Sequence, residues 1–304
     1  MIGLWSPSSS CTKAELEKGL KRLRDLNLDY CAGEHFKKSS TKPLDSVRHY
    51  LAGKDEEKIK DLEKLWGNSE ITTILCTRGG YGALRLLPLL DKSRRIKRSK
   101  IKLWGYSDTT ILQNYFFTKY EMSWVHAPLL CSSSFFNPNT KELRFWKKML
   151  NEDQADTRFP LTILTLSSKH RGKTALRGHI VGGNFASLMS TMGTPWEFSI
   201  PKSSWLFLED VSEASYKIDR MLTQLSMHQD FSGLSGIVLG HFTDCPKATK
   251  ILKLWCENHN LTLLSKFPAG HESPNLPFIL GERRIFERKN DSQFFVDLPN
   301  PFFG

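Results

Sequence analysis

The chain has 304 residues, 39% of them hydrophobic, including 19 Phe and 8 Trp; this is ample material for packed cores and excludes a disordered or collagen-like chain. The net charge of +11, from 43 Lys and Arg against 32 Asp and Glu, suits nucleic acid, an anionic small substrate or only a lysine-rich lineage, and does not choose among them. The N-terminus MIGLWSPSSS lacks the basic and apolar regions of a secretory signal, and no stretch approaches the ~18–20 continuous apolar residues of a membrane helix, so a soluble cytoplasmic protein with no membrane partner is expected.

Met1–Trp5 is a short apolar run closed by Ser6-Pro7, which predicts a first strand and a loop. Lys13–Leu26 carries Leu16, Leu20, Leu23 and Leu26 at helical spacing, with Thr12 placed to cap it. Leu28–Cys31 predicts a second short strand, Asp55–Trp66 a helix with Ile59, Leu62 and Leu65 on one face, and Ile71–Cys76 a buried strand. Arg78-Gly79-Gly80-Tyr81-Gly82 then breaks the pattern. A helix resumes from Ala83 to Leu90, which Pro88 should end or kink. Ile101–Trp104 predicts a strand and Asp108–Phe117 a helix. Strand, loop and helix in repetition argue for a parallel sheet, whose ligands gather at the carboxyl ends of its strands.

Beyond the polar segment 151–158 the alternation is less regular. Phe159–Leu166, Leu176–Val181, Trp205–Leu208 and Ile237–Leu239 read as strands, and a helix falls within Val211–Met227. The expected fold class is therefore α/β: an N-terminal parallel-sheet, Rossmann-like domain (1–160) and a smaller C-terminal α+β domain (170–304). Six cysteines, Cys11, Cys31, Cys76, Cys131, Cys245 and Cys256, lie far apart with no C-x-x-C and no histidine at zinc spacing. Free thiols and no metal are expected. The densest basic run, Lys92 to Lys100, has neither interleaved aromatics nor a recognised nucleic-acid module and reads as a solvated connection. A non-catalytic nucleic-acid-binding protein is the alternative built on that run.

Four stretches can carry chemistry. Gly105-Tyr106-Ser107-Asp108 follows a strand and opens a helix, so Ser107 would expose its hydroxyl beside free N–H groups, although Thr109 departs from G-x-S-x-G. Ser107 or Asp108 as a plain helix cap explains the same residues. The three glycines of Arg78–Gly82 permit close backbone approach to an anion but match neither a dinucleotide nor a Walker loop, and no cofactor is called for. Trp205–Asp210 ends an apolar strand in two carboxylates, and the local sequence leaves Glu209 and Asp210 equivalent, Asp210 also suiting a cap on the following helix. Pro268-Ala269-Gly270-His271 sets a histidine in a loop.

Taken together and in order, these stretches resemble the murein LD-carboxypeptidases and their relatives, the microcin C self-immunity peptidases. The resemblance also takes in Tyr50–Glu57, His126-Ala127-Pro128, Val181-Gly182-Gly183-Asn184, Gly193-Thr194-Pro195-Trp196 and Tyr216–Leu225, so it spans residues from about 4 to 285. It implies a serine carboxypeptidase with Ser107 as nucleophile, His271 as base and Glu209, not Asp210, orienting the histidine. Backbone N–H groups of Gly80 and Asp108 form the oxyanion hole in that scheme, and Ser107 and the other two triad members come from different domains. The implied reaction removes the C-terminal D-alanine of muropeptide tetrapeptides at an L,D bond, in cytoplasmic cell-wall recycling. A homodimer is the implied assembly. The substrate's free carboxylate needs a cation, for which Arg78 and Arg220 are the candidates. Hydrolysis of peptidyl or aminoacyl sulfamoyl-adenylates is the alternative within the same family. Ala127, where glycine is usual before the proline, and Trp196 depart from the common pattern without touching a triad position.

Overall fold

The structure, a computed structural model, describes residues 1–151, 158–228 and 233–299. The chain divides into two compact units, Met1–Lys141 with Gly193–Phe198, and Glu142–Met192 with Ser199–Gly304.

The first unit alternates β1 (Ile2–Trp5), α1 (Lys13–Asp25), β2 (Tyr30–Ala32), α2 (Phe36–Thr41), α3 (Asp55–Trp66), β3 (Thr73–Cys76), α4 (Ala83–Lys92), β4 (Lys102–Gly105), α5 (Thr110–Tyr120), β5 (Trp124–His126) and α6 (Ser133–Phe136). The strands of this unit run parallel in the order β5-β4-β3-β1-β2. All four residues of β1 and all three of β5 are buried, as in parallel sheets covered on both faces. The expected Rossmann-like alternation is what forms.

Local chemistry sets the helix starts. Thr12 Oγ1 accepts from the Glu15 N–H at 3.1 Å while Glu15 Oε2 accepts from the Thr12 N–H at 2.7 Å, a reciprocal cap that opens α1. Pro88 does not stop α4, which continues to Lys92. Proline deletes a single N–H from the ladder, and the burial of Leu86, Leu87 and Leu90 holds the helix around the defect. The helix expected from Asp108 begins instead as a 3-10 turn over Ser107–Thr109, with α5 following at Thr110.

The chain goes on through α7 (Thr140–Asn151), β6 (Arg158–Thr165), β7 (Ala175–Asn184), α8 (Phe185–Met189), β8 (Ser204–Val211), α9 (Ser215–His228), β9 (Leu234–Thr243), α10 (Ala248–Asn258), β10 (Thr262–Ser265), β11 (Phe278–Leu280), β12 (Arg283–Asn290) and β13 (Gln293–Asp297). Seven of these strands close into a barrel in the order β10-β6-β13-β12-β7-β8-β9. The run β7-β8-β9-β10 is parallel, and β6, β12 and β13 complete the circle antiparallel. The α+β character expected of this half thus takes the form of a closed barrel, which leaves no sheet edge exposed. Its core is aromatic: Trp205, Phe207, Phe267 and Phe286 are fully buried, with the Trp205 and Phe286 rings 4.4 Å apart. The helix foreseen within Val211–Met227 starts only at Ser215, because Ser212 turns the chain in the left-handed region at φ +57°.

All six cysteines are free, with the Cys131 thiol donating to Cys11 at 2.9 Å. Among the described residues no cluster of His, Cys, Asp and Glu is set to hold a metal, and no helix is long and apolar enough to cross a membrane.

Candidate active site

In the first unit, Ser107 sits where β4 gives way to the helical turn before α5, at φ +63°. A non-glycine residue pays about 1–2 kcal/mol to occupy that region and persists there only when its surroundings fix it. Gly105 and Gly79 make the geometry possible. A Cβ on Gly105 would lie 2.6 Å from Thr109 Oγ1, and one on Gly79 would lie 2.8 Å from both Cβ and Oγ of Ser107. The glycine loop therefore packs directly on the serine hydroxyl. Gly80 and Gly82 of the same loop adopt φ +92° and +144°, which admit glycine with little strain.

Asp108 does not cap α5. Thr109 is the residue preceding that helix and makes no side-chain cap, whereas Asp108 Oδ2 accepts from the N–H of Ala83, the first residue of α4, at 2.9 Å. Asp108 is a cap, but of a helix earlier in the chain than the one its position suggests. Burial, at 3% exposure, pushes its carboxyl up to about 6 against the pull of the Ser8 hydroxyl, the Ala83 N–H and, least, the Lys58 charge. Tyr106, one residue before the serine, meets the buried His126 ring edge-on at 5.6 Å.

In the second unit, Glu209 and His271 form a pair. His271 Nδ1 donates to Glu209 Oε2 at 2.7 Å, and the glutamate is fully buried at the end of β8. A donor at Nδ1 makes Nε2 the basic ring nitrogen. Burial works against charge on the imidazole, but the carboxylate of Glu209, by charge and hydrogen bond, and that of Asp210, by charge, outweigh it and hold the pKa above the ordinary histidine value.

Geometry separates the two acids of β8. Asp210 turns away and accepts from Asn184 Nδ2 at 3.0 Å and from the Ala186 N–H at 2.9 Å, so it caps α8 and not the helix that follows it in sequence. Burial and the neighbouring Glu209 raise its carboxyl to about 6. Asn184, from Val181-Gly182-Gly183-Asn184, is the N-cap of the same helix.

The histidine loop is fastened at several points. Asn275 Oδ1 accepts from the Gly270 N–H at 3.2 Å, and the Asn275 N–H donates to the buried Glu142 of α7 at 2.8 Å. The His241 N–H donates to Ala269 O at 2.8 Å. None of Glu142, His241 or Asn275 stands out in the sequence, since each lies outside a chemical motif. Of the two arginines considered for a carboxylate, Arg78 is paired with Glu15 at 2.8 Å and Arg220 lies over the Tyr216 ring at 5.9 Å.

Gly79→Ala is expected to slow modification of Ser107 by a fluorophosphonate about 10²-fold, since the new methyl displaces the hydroxyl from its trajectory. Mass spectrometry of the Ser107 peptide measures the rate, and unchanged labelling would contradict the packing described.

Comparison with known proteins gives a consistent picture. The model of the LD-carboxypeptidase N-terminal domain matches residues 2–127, and that of the LD-carboxypeptidase C-terminal domain matches residues 177–284. A probable murein peptide carboxypeptidase of Bacillus subtilis is 30% identical over 93% of this chain and 87% of its own. A murein tetrapeptide carboxypeptidase of Pseudomonas aeruginosa is 29% identical over 94% and 92%. The crystal structure of a muramoyltetrapeptide carboxypeptidase from Oxalobacter formigenes superposes with a TM-score of 0.78 at 21% identity, covering 98% of both chains.

Proposed function

Since the chain belongs to the LD-carboxypeptidase family, we propose that it is a serine carboxypeptidase that removes the C-terminal D-alanine from muropeptide tetrapeptides. The observation that carries this is Ser107 held at φ +63° on a turn between a parallel strand and a helix. Hydrolases place a nucleophile on such a strained turn.

In the proposed reaction Ser107 Oγ attacks the carbonyl carbon of the L,D bond and passes its proton to His271 Nε2. Glu209, hydrogen-bonded to Nδ1, keeps the ring in the required tautomer and stabilises the imidazolium. The negative charge that develops on the carbonyl oxygen is met by the N–H groups of Gly80 and Asp108. The tetrahedral intermediate collapses, the C–N bond breaks, and D-alanine leaves with the proton returned by His271. Water then cleaves the tripeptidyl ester on Ser107 by the same steps. Every proton in the cycle is handled by side chains of the triad, so the scheme requires no metal or organic cofactor. Arg78 and Arg220 are assigned to the substrate's terminal carboxylate, Arg78 through exchange of its Glu15 partner.

We extend the same reading to a cytoplasmic location, a role in peptidoglycan recycling and a homodimeric state. The test is a comparison of kcat/KM on an L,D-tetrapeptide ending in D-alanine, on its L-alanine epimer, and on an aminoacyl sulfamoyl-adenosine. The proposal predicts the D-alanine tetrapeptide to be preferred over each of the others by at least ~10²-fold. Preference for the sulfamoyl-adenosine would replace it with the immunity-type reaction.

A further inference from the structure

The loop between β1 and α1 carries a serine that the triad does not use and that grips the glycine loop at two points. The Ser9 N–H donates to Gly79 O at 3.1 Å, and Ser9 Oγ accepts the Tyr81 N–H at 3.1 Å. The hydroxyl lies directly on Gly80, where an added Cβ would stand 2.4 Å from Ser9 Oγ and 3.0 Å from Ser9 Cβ. One on Gly79 would stand 2.8 Å from both Cβ and Oγ of Ser107. The glycine loop therefore touches the nucleophile at one residue and Ser9 at the next.

The two hydrogen bonds decide where one backbone donor points. A peptide unit is planar, so the carbonyl of Gly79 and the N–H of Gly80 share one rigid plane and, the bond being trans, point opposite ways. Anchoring Gly79 O on the Ser9 N–H fixes that plane and directs the Gly80 N–H away from the anchor. The following plane joins the Gly80 carbonyl to the Tyr81 N–H, and the Ser9 hydroxyl holds that one. Gly80, at φ +92° and without a side chain, has two soft dihedrals and does little itself to fix the angle between the planes. Ser9 ties both. Its own place is set from elsewhere in the same unit. Ser9 pairs with Leu51 in an isolated antiparallel bridge, the Ala52 N–H donates to Ser8 O at 3.0 Å, and the Cys11 N–H donates to Ser40 O at 2.7 Å.

We propose that Ser9 is a positioning residue for hydrolysis, holding the Gly80 N–H in the one orientation in which it serves the oxyanion formed at Ser107. The inference rests on Ser107 being the nucleophile and the Gly80 N–H an oxyanion donor. A donor free to swing by a fraction of an ångström leaves substrate binding intact but loses grip on the charge that appears only in the transition state, so kcat should fall while KM holds. The histidine base is untouched by this change, so the pH dependence should not move.

The experiment measures kcat and KM on the tetrapeptide across pH, the second-order rate of fluorophosphonate modification at Ser107, and Tm, for wild type, Ser9→Ala and Ser9→Thr. Ser9→Ala keeps the backbone N–H and loses only the hydroxyl. It is expected to lose about 5–50-fold in kcat, against the 10²–10³ of deleting a donor outright, with KM within about twofold. The phosphonylation rate should fall by the same factor, the acid limb of kcat/KM should stay in place, and Ser9→Thr, which retains the hydroxyl, should recover most of the loss. A Ser9→Ala protein that loses Tm but keeps wild-type kcat overturns the proposal, since the serine would then serve the fold alone. A loss confined to KM, a displaced acid limb, or a Ser9→Thr protein no faster than Ser9→Ala overturns it equally. A wild type not labelled at Ser107 refutes the nucleophile and this proposal with it. A wild type labelled there that releases no D-alanine refutes the substrate assignment instead, while the phosphonylation rates still test Ser9.

Discussion

Replacement of Ser107 by alanine is expected to lower D-alanine release from a tetrapeptide by at least ~10⁴-fold with little change in Tm. The size follows from the roles. Without the hydroxyl no acyl-enzyme forms, and what remains is the stabilisation by backbone donors and substrate binding. Alanine also relieves little of the backbone strain, because its Cβ meets the same steric limits at φ +63°. The fold should persist while chemistry is lost. A chromatographic assay of free D-alanine for both proteins, at matched concentration, makes the comparison. Activity surviving in Ser107→Ala would mean that another residue is the nucleophile.

Glu209→Gln should produce the second large effect, with a signature in pH. An amide keeps the volume but offers either a donor or an acceptor to Nδ1, so part of the population holds the wrong histidine tautomer. A loss on the order of 10³–10⁴ in kcat is expected. The pH dependence fixes the sign. In wild type the Glu209 carboxylate outweighs burial and raises the pKa of His271 above its ordinary value, and the base works only when neutral. Activity therefore falls as pH drops through a pKa higher than ~6.5. In the Glu209→Gln protein the largest favourable charge is gone, burial dominates, and the acid limb of kcat/KM moves to lower pH. Asp210, which remains, limits the displacement. A limb that stays in place would show that Glu209 does not govern the histidine's charge.

The parts of this architecture legible in the sequence are those in which apolar periodicity and local chemistry agree. Thr12 announces the start of α1, and the apolar β3 and β4, each followed by a glycine-bearing turn, announce a parallel sheet. The barrel is harder to see because one of its closing strands carries little apolar signal. In β12, Arg283–Asn290, only Phe286 is buried, and a run of arginines, glutamate and lysine gives no cue that the strand pairs on both sides. The caps supplied by Asp108 and Asp210 are legible as caps, but their targets are helices other than the ones that follow them, α4 and α8, which only the fold brings near. Family resemblance alone tells Glu209 from Asp210 in the sequence, whereas the 2.7 Å contact with His271 does so in the structure.

The most direct test of the central claim is an active-site titration of the wild-type protein with a fluorophosphonate, read by intact mass, peptide mapping and residual D-alanine release. The account predicts one adduct per chain, on Ser107, with activity falling in proportion to occupancy and the tetrapeptide protecting against modification. Full D-alanine release from protein quantitatively modified at Ser107, or an adduct that forms only elsewhere, would contradict it.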